Sequence, residues 1–121
     1  MTKAAASLWP TEIKLAPDKR SLTIAFDNGD GFTLPAELLR VMSPSAEVQG
    51  HSQAQRVTVG GKRHVAIRDV RQVGNYAIQI VFDDGHDTGF FRWAFLHDLG
   101  SRQPEHWLRY IDDLAAKALS R

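Results

Sequence analysis

The segment Leu22-Thr-Ile-Ala-Phe-Asp-Asn-Gly-Asp30 recurs further along the chain as Ile78-Gln-Ile-Val-Phe-Asp-Asp-Gly-His86. Each copy runs on into an aromatic segment and a short helix candidate. In both, apolar residues fall at period two and stop at a turn carrying Asn or Asp followed by Gly, as expected of a strand that buries one face and then reverses. Two readings of the echo are open. The chain carries one strand–turn–strand–helix unit twice, or F-D-x-G is a common hairpin turn that recurs without further meaning. Two copies are in either case too few for a solenoid. The expected fold class is α+β: small, mostly antiparallel sheets built from two strand–turn–strand–helix units, with a C-terminal amphipathic helix.

The remaining elements follow from local chemistry. Glu12–Leu15 is a short strand candidate after Trp9-Pro10, and Ala16-Pro-Asp-Lys19 has turn residues. Proline at position 35 suits the first turn of a helix over 35–40, and Ser43-Pro44 repeats that signature up to Gly50. Arg56–Val59 and His64–Ile67 flank Gly60-Gly61 and are expected to form a hairpin. Asn75–Phe82 is the strongest strand candidate, and Trp93–Leu99 is a helix candidate ending at Gly100. From Pro104 onward, Trp107, Leu108, Ile111, Leu114, Ala115 and Ala118 form a helical stripe.

A chain of 121 residues with 43% hydrophobic and 24% charged residues has the make-up of one folded domain. It contains no cysteine, which excludes disulfides, thiolate nucleophiles and thiolate metal sites, and fits a reducing compartment. The expected location is cytoplasmic, since no apolar run approaches the ~20 residues a bilayer crossing needs and the first residues do not form a signal peptide. Lys and Arg number 15 against 14 Asp and Glu, so no whole-molecule field draws nucleic acid or an anionic membrane.

Catalytic patterns fail at identifiable positions. Gly50-His51-Ser52-Gln53-Ala54 lacks the last glycine of a nucleophile elbow. Gly29-Asp30-Gly31 has Leu34 where a dinucleotide loop needs its third glycine, and Gly60-Gly61-Lys62 lacks the first glycine of a phosphate loop. None of the five histidines is followed two residues later by Asp or Glu, the pair that a mononuclear iron site uses. The acidic cluster Asp83, Asp84 and Asp87 around His86 is either a proton-relay or metal site, or a solvated hairpin tip whose consecutive side chains diverge. Arg56, Lys62, Arg63, Arg68 and Arg71 are a candidate nucleic-acid face, but the interleaved aromatics that stack bases are missing. Phe90, Phe91, Trp93 and Phe95 are too close in sequence for all to be buried. Trp93 and Phe90 are expected in the core, with the others open to a contact surface.

Taken together, Leu34-Pro-Ala-Glu-Leu-Leu-Arg40, Ser43-Pro-Ser-Ala-Glu-Val-Gln-Gly-His51, Gly61-Lys-Arg63, Val73-Gly-Asn-Tyr-Ala77 and Phe82-Asp-Asp-Gly-His-Asp-Thr-Gly89 resemble the gamma-butyrobetaine-hydroxylase-like N-terminal domain family. The resemblance covers about residues 9–100, leaving residues 1–8 as a flexible arm and 101–121 as a helix packed on the same domain. In the hydroxylases, the resemblance implies, this domain precedes an iron- and 2-oxoglutarate-dependent catalytic domain and holds a structural zinc through three cysteines and a histidine. On this chain Ser43, Ser45 and Val48 stand at the cysteine positions and His86 at the histidine. A zinc site of that kind cannot be rebuilt from two hydroxyls and a valine, so hydrogen bonds from Ser43, Ser45 and His86 are expected to fasten the two segments instead. A substitute site using His51 and Glu47 with His86 is the other option. In further relatives a similar domain is appended to a nucleotide-binding iron–sulfur carrier.

The expected role is a non-catalytic interaction or accessory module that docks on a protein partner, linked to iron–sulfur or cofactor metabolism, with no bound cofactor and no membrane contact. The alternatives are a metal- or small-molecule-binding protein centred on His86, Asp87 and His51, and nucleic-acid binding through the central basic residues. The candidate functional surface comprises His51, Asp84, His86, Asp87 and Arg92.

Overall fold

The echo is a repeated structure. In the computed structural model, which describes residues 8–45 and 57–121, β1 (Pro10–Leu15), β2 (Ser21–Phe26) and β3 (Gly31–Pro35) form one antiparallel sheet in that order, followed by α1 (Ala36–Val41). A second antiparallel sheet follows, of β4 (Ile67–Val73), β5 (Ala77–Phe82) and β6 (Phe90–Arg92), with α2 (Trp93–Ser101) after it. The class is α+β.

The two units agree in detail. β2 and β5 have the same length and the same offset at both ends, Ser21 matching Ala77 and Phe26 matching Phe82. The helices keep that offset to within one position, Ala36 opening α1 and Trp93 opening α2. Each first pair of strands carries an irregularity in register at its outer end, between Pro10 and Glu12 in one and Ile67 and Asp69 in the other. The turns match as well. The Phe26 amide donates to the Asp30 carbonyl at 2.8 Å and the Phe82 amide to the His86 carbonyl at 3.0 Å. Gly29 and Gly85 take φ of 92° and 91°, a left-handed conformation that glycine adopts without steric cost. Agreement at this level rules out the reading in which F-D-x-G recurs by chance.

One residue breaks the match. β3 starts pairing at Gly31 opposite Ala25, whereas β6 starts at Phe90 opposite Gln79. The extra residue lies between His86, whose carbonyl still closes the turn, and Phe90, so Asp87–Gly89 stay outside the β5 ladder, and His86 is turned inward. It is 8% exposed, while Asp30, its counterpart in the first turn, faces solvent.

Burial follows the strand period. Leu22, Ile24 and Phe26 point inward from β2 while alternate residues are half-buried; β5 is covered on both faces and buries Ile78, Ile80, Val81 and Phe82. Each such side chain contributes about 1.5–3 kcal/mol by leaving water. A single buried cluster joins both units and includes Leu38 and Leu39 of α1, Leu96 and Leu99 of α2, and Tyr110 and Leu114 of α3 (Gln103–Ala116). Gly100 lies so close to the Phe32 ring that a Cβ there would collide with it.

Three expectations need correction. The hairpin expected around Gly60-Gly61 does not form among the described residues: 57–66 contain no strand, and the second sheet's outer strand is Ile67–Val73. The Gly61 amide instead donates to the Ser120 carbonyl at 2.8 Å, and a Cβ at Gly60 would clash with the same oxygen, so this segment is shaped by the chain beyond α3. β4 was hidden because it is an exposed edge strand with an irregular register, in which charged residues mask the period-two pattern. On α3 the buried stripe is narrower than expected. It runs through Trp107, Tyr110, Ile111 and Leu114, while Leu108 is 63% exposed and Ala115 faces solvent. Along β6 it is Phe91 that is buried, and Phe90, expected in the core, is 47% exposed. The second short helix expected from Ser43 to Gly50 falls largely outside the described residues.

Candidate functional site

The inward turn of His86 brings it to the segment that follows α1. Its Nε2 lies 3.0 Å from Ser43 Oγ and 3.4 Å from Ser45 Oγ, and all three residues are buried. The Ser45 amide also donates to Ser43 Oγ at 3.4 Å. Gly89 makes the approach possible. A Cβ on it would overlap Ser43 Oγ and come within 3.0 Å of Pro44 Cδ. Three of the four positions that the resemblance matched to a zinc site are therefore in mutual contact, with hydroxyls, which hydrogen-bond well and ligate zinc poorly, beside the imidazole. The fourth, Val48, lies outside the described residues, as do Glu47, His51, Ser52 and Arg56.

Beside this contact Asp84 forms a second tie between the same segments. Its Oδ2 accepts from Arg40 Nε at 2.8 Å and from Lys62 Nζ at 2.6 Å, and its Oδ1 accepts the His86 amide at 3.0 Å. Burial opposes the charge on Asp84, but Lys62, the His86 amide and Arg40 outweigh it and hold the carboxyl well below the usual carboxylate range.

The other acidic residues of this turn make different contacts. Asp83 Oδ1 accepts the Ala66 amide at 3.1 Å, and Asp87 engages Gln79 through its backbone carbonyl at 2.8 Å. No group of three or more His, Asp or Glu side chains among the described residues is placed to hold a metal ion. The central basic residues are also dispersed. Lys62 is bound to Asp84, Arg71 pairs with Asp69 at 2.9 Å, and Arg68 reaches the Asp83 carbonyl at 3.4 Å. No helix is long and apolar enough to cross a membrane among the described residues.

Arg92 belongs to a different surface. Its guanidinium lies 5.1 Å from the centre of the exposed Tyr76 ring, and it lines a shallow cleft with Pro44, Ser45, Thr88, Phe90 and Phe95. Ser45 belongs to both, so the aromatic surface and the buried hydroxyl–imidazole contact adjoin. Trp93, next along the chain, is turned inward and donates from Nε1 to the Asn75 carbonyl at 2.9 Å.

A further cluster carries no mark in the local sequence. Glu37, on α1, is 6% exposed and accepts from Tyr110 Oη at 2.9 Å, Arg121 Nε at 3.0 Å and Arg121 Nη2 at 2.8 Å. Burial alone would raise the Glu37 carboxyl, but Arg121 and Tyr110 reverse the shift and hold it below its ordinary value. Both partners come from the far end of the chain, so only the fold brings them to Glu37.

Comparison with known proteins agrees with this architecture. The model of the family described as "Gamma-butyrobetaine hydroxylase-like, N-terminal" matches residues 13–97. One solution NMR structure is 49% identical, with the match covering 100% of this chain and 90% of that one at TM-score 0.82. A second is 42% identical over 94% of this chain and 90% of the other, also at TM-score 0.82. A crystal structure of a protein of unknown function in the DUF971 family, from Acidithiobacillus ferrooxidans, is 39% identical over 74% of this chain and 90% of that one, at TM-score 0.60. No curated protein matches the chain. With residues 13–97 matched by the family model and solved relatives alike over nearly its whole length, this chain belongs to the gamma-butyrobetaine hydroxylase-like N-terminal domain family.

Proposed function

We propose that this chain is a non-catalytic accessory module that works in the cytoplasm by docking onto a partner protein. The observation that carries the reading is the surface around β6. Phe90 and Tyr76 are exposed, Arg92 stacks on Tyr76, and Phe95 and Pro44 continue the patch into a shallow cleft. Aromatic residues and arginine are the types that dominate binding energy at protein interfaces, because they supply large contact area with little conformational freedom to lose. The surface rests on a fixed base, since Ser43, Ser45 and His86 fasten the segment beneath it. Iron–sulfur and cofactor metabolism is the first setting in which to seek the partner, on the strength of the resemblance to domains attached to an iron–sulfur carrier. That argument is one of fold analogy.

The test is site-specific photocrosslinking in living cells, with a benzophenone side chain at position 90 and, as a control, at position 109 on the exposed side of α3. The expected result is one adduct of defined mass from position 90, reduced when Arg92→Glu is added and absent from position 109. If position 90 gives no adduct, or the same ladder of products as position 109, the docking reading fails.

A further inference from the structure

The cluster around Glu37 has the chemistry of a receptor for a guanidinium group. A carboxylate is seldom buried to this extent unless it is paired, because removing it from water costs several kcal/mol. Here it sits on α1 between Ala36 and Leu38, which are fully enclosed in the core. Its two oxygens face Arg121 in the forked geometry that only a guanidinium matches, Nε to Oε2 and Nη2 to Oε1. Tyr110 Oη also donates to Oε2 at 2.9 Å. The Trp107 ring lies under the guanidinium carbon at 5.0 Å, and Tyr110 braces that ring edge-on at 5.4 Å. A carboxylate fork, a hydroxyl that orients it and an indole face are the three elements of a guanidinium site.

Two observations separate this cluster from an ordinary surface ion pair. The carboxylate is buried whereas the arginine is not: the Arg121 side chain is 34% exposed and its partner 6%. The site also opens into a cleft of about 580 Å³, walled by Pro35, Gly100, Gln103, Pro104 and Trp107, with Glu37 and Arg121 at one side. A volume of that size accommodates a small organic molecule, and its proline and indole walls suit an alkyl chain. The receptor half belongs to α1 and α3, which share the core, while Arg121 lies beyond α3, in a stretch anchored through the Ser120 carbonyl to Gly61.

We infer that Glu37, Tyr110 and Trp107 form a binding site for a small guanidino compound, and that Arg121 occupies it in cis as an internal competitor. A ligand with an alkyl guanidine displaces the Arg121 side chain, places its own fork on Glu37 and lays its chain along Trp107 and the proline walls. Because Arg121 is tethered, the free ligand competes against a high local concentration, and its apparent affinity falls by the fraction of time the site is filled internally. This assignment concerns a different part of the molecule from the β6 surface and does not depend on it.

The test uses the full chain, propylguanidine as probe and butylamine as a cation of similar length. Binding is read from the indole N–H resonance of Trp107. The Arg121→Ala variant should give a saturable shift with propylguanidine at a concentration at least about tenfold lower than wild type. Butylamine should bind at least about tenfold more weakly than propylguanidine, because it lacks the fork. Adding Glu37→Gln to Arg121→Ala should abolish the shift. A folded Arg121→Ala protein that shows no saturable Trp107 shift up to about 50 mM probe, well past a millimolar dissociation constant, overturns the assignment and leaves Arg121 as a latch for the fold. Equal binding of the two cations overturns it as well. If Arg121→Ala does not fold, Arg121→Lys keeps a charge opposite Glu37 without the fork, and the same responses to propylguanidine and butylamine decide the question.

Discussion

Arg40 and His97 stand at equivalent places on the helices of the two units, and each grips the turn of the other unit. Arg40 Nε reaches Asp84 Oδ2 at 2.8 Å, and His97 Nε2 lies 2.8 Å from Asp30 Oδ2. His97 also packs edge-on against Phe26 and Phe32, with ring centres 5.2 and 5.3 Å apart. The repeat thus fastens itself crosswise: each helix is tied to the turn contributed by the other half. Gly100 of the second unit presses on Phe32 of the first, and Ser43 of the first presses on Gly89 of the second, so the bulky and small partners are exchanged across the same contact.

The first prediction concerns acid. Asp84 titrates below its ordinary value of 3.8, so its stabilising contribution is complete above that value and is lost as pH falls toward the lowered folded-state value. The Asp84→Asn variant should lose about 1–3 kcal/mol at neutral pH, through lost pairing with Arg40 and Lys62. It should also show a shallower decline in stability than wild type between about pH 5 and about pH 2. Urea denaturation across that range tests both statements, and parallel curves would remove Asp84 as the cause.

A second prediction isolates the close approach at Gly89. Gly89→Ala places a methyl group into Ser43 Oγ and Pro44 and should cost about 1–3 kcal/mol. Gly31→Ala, at the corresponding turn, meets only the Ile24 carbonyl at an ordinary 3.8 Å and should stay within about 0.5 kcal/mol of wild type. Equal melting temperatures for the two variants would show that the Ser43–Ser45 segment yields.

Neighbouring phenylalanines should behave in opposite ways. Phe91→Ala empties a fully enclosed core position and should cost about 3–5 kcal/mol, whereas Phe90→Ala should change stability by less than about 1 kcal/mol. On the proposed docking surface the order reverses: Phe90→Ala and Arg92→Ala should weaken partner binding while the protein remains folded. Thermal melts and crosslinking yield provide the two readouts.

The fourth prediction addresses the hydroxyl–imidazole contact. With hydroxyls in place of thiolates, a chelator should leave the melting temperature unchanged, and elemental analysis should find no stoichiometric zinc. Ser43→Ala removes the nearer of two hydroxyls on His86 Nε2 and should cost about 1 kcal/mol, because the contact is buried. One bound zinc per chain, with a melt lowered by chelation, would overturn this account.

The expectation that Ser43, Ser45 and His86 stand together came from motif resemblance, and the structure places them in contact. The paired turns were legible because glycine at positive φ and Asn or Asp two residues after phenylalanine are local requirements. The burial of His86 was not, because it packs against Ser43 and Ser45, which are distant in sequence and meet it only in the folded chain.

Sequence by itself determined the α+β class, the echo of one turn in another and the helix opened by Pro104, and its motifs carried the family resemblance. The elements rest on periodicities and turn chemistry that operate over a few residues, and the resemblance rests on separate motifs taken in combination. Only the tertiary structure decided that β4 is a strand, that Phe91 rather than Phe90 is buried, and that Glu37 meets Tyr110 and Arg121. An exposed edge strand takes its shape from the partner it pairs with. A buried carboxylate is stable only where distant parts of the chain supply its donors, and those contacts exist only once the core has formed.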